Sequence, residues 1–158
     1  LLSDQMSAPY SNLNYKKTKI SALIKEALDL TFVDRVKHDL DETTNLVVNV
    51  DSVKMSIAIK NLIENAHKYA ESDEPIRVFV TKDKGFISLL VKDRGPGIPE
   101  DLIKNITRAF VRGKNQTEGG FGLGLSICHK VVRAHGGELK IANNPKGGAS
   151  FTLQIPLK

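Results

Sequence analysis

At 158 residues, 41% hydrophobic and 26% charged, the chain is long enough to bury one core without covalent staples. No apolar run approaches the roughly 20 residues of a membrane span, and a single cysteine, Cys128, rules out an internal disulfide and fits a reducing compartment. The formal net charge of +5 is dispersed among acids, with no basic cluster interleaved with aromatics, so nucleic acid is not the expected partner.

The opening LLSDQMSAPYSNL reads as the tail of something upstream, and residues 1–15 are expected to be the end of an upstream hairpin or linker. Residues 20–31, ISALIKEALDLT, carry apolar residues at helical spacing, and LVVNV (46–50) reads as a short strand. Asp51 or Ser52 then caps a long helix reaching about Tyr69. IRVFVT (76–81) and FISLLVKD (86–93) form a hairpin through KDKG. From 94 to 121 the chain is mostly polar, with one helical candidate in EDLIKNITRAF; so long an irregular stretch reads as a functional loop or lid. A helix follows in LSICHKVVRAHGG, then a second hairpin, ELKIAN, NPKGG and ASFTLQIPL. The order predicts an α+β domain: a mixed, mostly antiparallel sheet with helices over one face.

Four segments carry chemistry. In the long helix, Met55, Ile59, Leu62, Ala66 and Tyr69 share an apolar stripe, with Asn61, Asn65 and Lys68 on a polar stripe beside it. That stripe reads either as a helix edge at the solvent boundary or as a ligand face, since an Asn carbonyl is a hard, neutral Mg²⁺ ligand. DRGPGIPE ends a strand in Asp93, an acceptor suited to an exocyclic amine, and Gly95 and Gly97 allow a sharp turn; an ordinary strand-end turn has the same pattern. AFVRGKNQ places Phe110, Arg112 and Lys114 in the lid segment. Finally GGFGLGLS sets Gly120, Gly122 and Gly124 at a helix start. Glycine costs a helix about 1 kcal/mol per residue against alanine, but bare backbone N–H groups there can seat an anion. Leu125 stands where a Walker loop needs Lys, and no strand precedes the glycines as a dinucleotide fingerprint requires.

Together and in this order the segments resemble the ATP-binding catalytic domain (HATPase_c) of bacterial sensor histidine kinases, in the GHKL superfamily. NLIENAHKY is similar to the N box, DRGPGI to the first glycine box, FVRG to the F box and GFGLGLS to the second glycine box; HGGELKI and GGASFTLQIPL resemble the closing strands. The resemblance covers about residues 16–157 and implies a Bergerat fold: a two-layer α/β sandwich of about five strands and about three helices, with a mobile ATP lid at about 99–121.

The resemblance assigns Asn65 to Mg²⁺, Asn61 and Lys68 to the phosphate side, and Tyr69 to the base or ribose. It assigns Asp93 to the adenine amino group, with Gly95, Gly97 and Ile98 shaping that pocket. Arg112 would approach the phosphate tail, and Gly120, Gly122, Leu123, Gly124 and Leu125 would form the lid hinge and phosphate seat. Ala149 departs from the Thr or Ser of many relatives.

Hydrolytic members of the superfamily place Glu one turn before the Mg²⁺ asparagine; Asn61 stands there and cannot take a proton. Glu64 is about 100° round the helix from Asn65. The resemblance therefore implies a protein-histidine kinase using ATP and Mg²⁺. Its phosphoryl group would pass to a histidine on a dimerisation domain and then to a response-regulator aspartate. His38, His67, His129 and His135 all lack the acceptor's sequence context, so this chain is expected to have nothing of its own to phosphorylate. The resemblance implies that it is a monomeric piece of a homodimeric protein anchored in the bacterial inner membrane, lying on the cytoplasmic side. A hydrolytic GHKL ATPase and a regulatory nucleotide-binding module remain the alternatives.

Overall fold

A computed structural model describes residues 12–38, 45–70, 74–111 and 123–157. In chain order these form β1 (Tyr15–Lys19), α1 (Ile20–Leu30), β2 (Val36–His38), β3 (Val47–Asp51), α2 (Ser52–Ala70), β4 (Ile76–Asp83), β5 (Phe86–Lys92), α3 (Glu100–Val111), α4 (Leu123–Ala134), β6 (Glu138–Asn143) and β7 (Ala149–Pro156).

The main sheet has the order β2-β4-β5-β7-β6. Only β2 runs parallel to its neighbour; the other three pairings are antiparallel. One sheet face presents Ile76, Val78, Val80, Ile87, Leu89, Val91, Phe151, Leu153 and Ile155 to the core, following the period-two alternation of half-buried strands. Against it lie α1 with Ile20, Leu23, Ile24 and Ala27, α2 with Met55, Ile59, Leu62, Ile63 and Ala66, and α4 with Leu125, Cys128, Val131 and Val132. Each set follows the i, i+3, i+4 spacing of a helix face. The fourth helix, α3, joins the cluster through buried Ile106. The α+β sandwich expected from the sequence is the one observed.

Strand membership differs from the sequence reading. Residues 47–51 do not enter the main sheet; β3 pairs antiparallel with β1 in a separate two-stranded ribbon, with Tyr15 opposite Asp51. The fifth strand of the main sheet is instead β2, three residues long. Neither β1, YKKTK with no buried residue, nor β2, VKH, carries an apolar alternation. Long-range backbone pairing defines both, so no periodicity announces them.

Asp51 caps α2, as expected: its Oδ1 accepts the Lys54 N–H at 3.1 Å, while Oδ2 accepts the Asn14 N–H at 3.0 Å. The Asp51 N–H in turn donates to His135 Nε2 at 3.0 Å, tying the start of α2 to the end of α4.

Candidate functional site

The site has two parts, one where the middle of α2 meets the start of α4 and one where the loop after β5 meets the end of α2. Burial of the α2 apolar stripe leaves Asn61 and Asn65, four residues apart, on the edge that faces α4. Asn65 Nδ2 donates to the Asn61 carbonyl at 2.8 Å. A Cβ placed on Gly124 would stand 3.2 Å from that Nδ2 and 3.9 Å from the Asn61 Cβ and Cγ. Glycine thus lets the first turn of α4, with its free N–H groups, lie directly on the asparagine pair. Since the Asn65 amide nitrogen is committed to Asn61, its Oδ1 is the free end, and the side chain makes no other hydrogen bond among the described residues. Lys68 follows as an exposed residue of the last turn of α2.

Glu64 is held on another side of the helix. Its Oε2 accepts the Thr31 hydroxyl at 2.9 Å and its Oε1 pairs with Lys60 at 3.4 Å.

Asp93 follows β5 and is 3% exposed. Its Oδ1 accepts two backbone N–H groups, from Gly95 at 2.8 Å and Ala149 at 3.2 Å. Its Oδ2 is buried without any hydrogen-bond partner among the described residues. An unsatisfied buried acceptor costs about 1–3 kcal/mol, more when charged, so this oxygen calls for a donor that the described residues do not supply. The Ala149 methyl is buried, and the residue's contribution here is its N–H.

Gly95 brings this loop to α2: a Cβ there would run into the Ala70 carbonyl, so any side chain would separate the loop from the helix end. Gly97 follows with φ of 84°, the left-handed region that glycine adopts without strain. Ile98 is buried, and its backbone is held on both sides by Asn143. Asn143 is the residue the sequence did not offer. An asparagine where a strand runs into a turn has an ordinary local explanation, and its partner lies 45 residues away.

The remaining expected residues divide in two. Leu125 sits in the core cluster rather than at an open surface, so its side chain anchors α4. Arg112, Gly120 and Gly122 lie outside the described residues, as do the side chains of Tyr69 and Leu123. The structure therefore joins Asn61, Asn65 and Gly124 in one place and Asp93, Gly95, Gly97 and Ile98 in another, linked through α2.

His67, His129, His135 and Cys128 have partners within the chain, whereas His38 Nδ1 is buried without a hydrogen-bond partner among the described residues. His67 Nδ1 accepts the Arg35 Nε–H at 3.2 Å, and its ring meets Phe32 edge-on. His129 is half-buried, and desolvation, then Arg133 and Lys130, lower its pKa. The Cys128 thiol donates to the Ala58 carbonyl at 3.0 Å, and burial raises its pKa far above the usual thiol range, which makes it inert.

Residues 50–158 match the family model described as "Histidine kinase-, DNA gyrase B-, and HSP90-like ATPase". Signal transduction histidine-protein kinase AfsQ2 of Streptomyces coelicolor is 39% identical over 121 residues, covering 75% of this chain and 22% of that protein. BaeS of Escherichia coli is 31% identical over 117 residues, covering 72% of this chain and 25% of that protein. The chain thus spans about a quarter or less of these two kinases. Among solved structures, the nucleotide-free catalytic domain of histidine kinase ThkA superposes with a TM-score of 0.72 at 26% identity, covering 91% of this chain and 97% of that one. With the four motif segments in order inside the matched region, the chain belongs to the histidine kinase-, gyrase B- and HSP90-like ATPase family, as an ATP-binding catalytic domain of the sensor histidine kinase type.

Proposed function

We propose that this domain holds ATP by its adenine at Asp93 and by its phosphates between α2 and the start of α4, and passes the γ-phosphoryl group to a histidine on a separate dimerisation domain. The observation that carries the reading is the buried, unpartnered Oδ2 of Asp93. A carboxylate oxygen can only accept, so it suits the exocyclic amine of adenine and repels the carbonyl that guanine places there. Two backbone N–H groups on Oδ1 fix the carboxylate so that Oδ2 stays put.

The donor set fits Mg²⁺. Asn65 Oδ1 is a neutral, uncommitted oxygen, and an ion bound to phosphates draws its other ligands from them and from water. A Mg²⁺ held there would neutralise phosphate charge during transfer. Asn61 orients Asn65 through the 2.8 Å bond, and Gly124 keeps the phosphate-binding N–H groups of α4 against the pair. Lys68 and Arg112 supply positive charge toward the phosphate tail.

Among the described residues no general base for water is built into this arrangement. Asn61 cannot take a proton, and Glu64 is engaged by Thr31 and Lys60. The reaction thus suits a nucleophile bringing its own lone pair, and neutral imidazole does so at pH 7. A ring nitrogen attacks the γ-phosphorus in line; the new N–P bond forms as the bond to the β,γ-bridging oxygen breaks, leaving ADP and phosphohistidine. The phosphoryl group then moves to a response-regulator aspartate. The parent protein is a homodimer anchored in the inner membrane.

The test mixes this domain, ATP and Mg²⁺ with a hairpin that carries the acceptor histidine, and follows acid-labile phosphate on the hairpin. Asn65→Ala is expected to lower transfer by about 10²-fold or more while circular dichroism stays unchanged. Undiminished transfer by that variant would remove Asn65 from the Mg²⁺ role.

A further inference from the structure

Asn143, the last residue of β6, grips the backbone of Ile98 on both sides. Its Oδ1 accepts the Ile98 N–H at 2.7 Å, and its Nδ2 donates to the Ile98 carbonyl at 2.7 Å. The same Nδ2 reaches Glu100 Oε1, at the first residue of α3, at 3.2 Å. One side chain thus satisfies both polar groups of a buried residue outside any strand, where each would otherwise need its own partner. The neighbouring Gly97 completes the seat: a Cβ there would lie 2.8 Å from Asn143 Oδ1, so the amide packs against bare backbone. Of the short side chains, only an asparagine offers donor and acceptor side by side in the geometry of a peptide group.

We infer that Asn143 is a positioning residue of the nucleotide site, fixing the Gly97–Ile98 segment relative to Asp93 and thereby the fit of the base. Asp93 and Ile98 are the two ends of one short loop. The Asp93 end is pinned by β7 through the Ala149 N–H, and the Ile98 end by β6 through Asn143. These two strands are adjacent, with Asn143 opposite Ala149 in the ladder, so one rung of sheet sets the spacing of both ends. The contact to Glu100 extends the same control to the start of α3. The inference rests on the reading of Asp93 as the adenine acceptor.

The experiment measures ATP and GTP affinities of the chain by calorimetry for the wild type, Asn143→Ala and Asn143→Asp. Melting temperatures are taken alongside. Asn143→Ala should bind ATP roughly tenfold more weakly, the scale of one net hydrogen bond of lost pre-organisation. Its preference for ATP over GTP should also fall, a readout that a purely structural role leaves unchanged. Asn143→Asp keeps the volume and the acceptor but loses both donations, and should show the same fall even if Asn143→Ala does not fold. Wild-type affinity and wild-type preference in either folded variant would overturn the inference while leaving the function standing. Failure of the wild type to bind adenine nucleotide would overturn the Asp93 reading and this role with it.

Discussion

Asp93 and His135 illustrate two ways in which a buried polar side chain is settled. Asp93 satisfies one oxygen twice and leaves the other without a partner among the described residues, which is costly for a buried acceptor. His135 is satisfied within the chain. The Asp51 N–H must donate into Nε2, which therefore holds a lone pair; the proton sits on Nδ1 and donates to the Val131 carbonyl at 2.7 Å. Protonating Nε2 would set two hydrogens against each other. Desolvation is the largest cause lowering the His135 pKa from 6.5, and Lys54 adds to it; the Val131 bond and Asp51 oppose it. A folded pKa below the unfolded value means the unfolded chain binds the proton more readily. The stability contributed is then present above pH 6.5 and lost as pH falls toward the folded value. His129 adds the same sign. Asp51, where burial works to raise the pKa but the Asn14 and Lys54 N–H bonds prevail and lower it, loses its contribution only below 3.8, outside this window. Thermal melts from about pH 7 to 5 should show a falling Tm, and His135→Ala should flatten that fall. An unchanged slope in the variant would mean His135 stays neutral at no cost.

At the scale of elements, the site depends on how closely the glycine loop lies against α2. The Gly95 backbone touches the Ala70 carbonyl, so Gly95→Ala must push the loop away from the helix end. Destabilisation of about 1–3 kcal/mol is expected in urea unfolding, with weaker nucleotide binding. A variant as stable as the wild type would show that loop and helix are not in contact. The helices and both hairpins were legible because burial imposes a period on them. The ribbon strand β1 and the edge strand β2 were not, because they are short and held by backbone pairing to residues far along the chain. The same distinction holds within the site. Asn61, Asn65, Asp93 and Gly124 sit in local patterns that suggest their chemistry. Asn143 acts across 45 residues and looks locally like a turn residue.

For the molecule as a whole, the fold is a sheet with helices on one face, and the candidate site lies where helices and strand ends meet. The α2 asparagines come from the helical layer, Asp93 and Asn143 from strand ends, and Gly124 from a helix start. No single segment contains the site, which is why four segments in order carry more than any one of them. How their side chains share the work needed the fold: Glu64, one residue from Asn65 in sequence, is drawn to Thr31 and Lys60 instead.

The central claim is that these pieces form one adenine-nucleotide site completed by Mg²⁺, and calorimetric titration with a non-hydrolysable ATP analogue tests it most directly. With Mg²⁺ present the account predicts one site per chain, with affinity falling when the ion is chelated. Binding that ignores Mg²⁺ would contradict the role given to Asn65, and no binding in either condition would contradict the site itself.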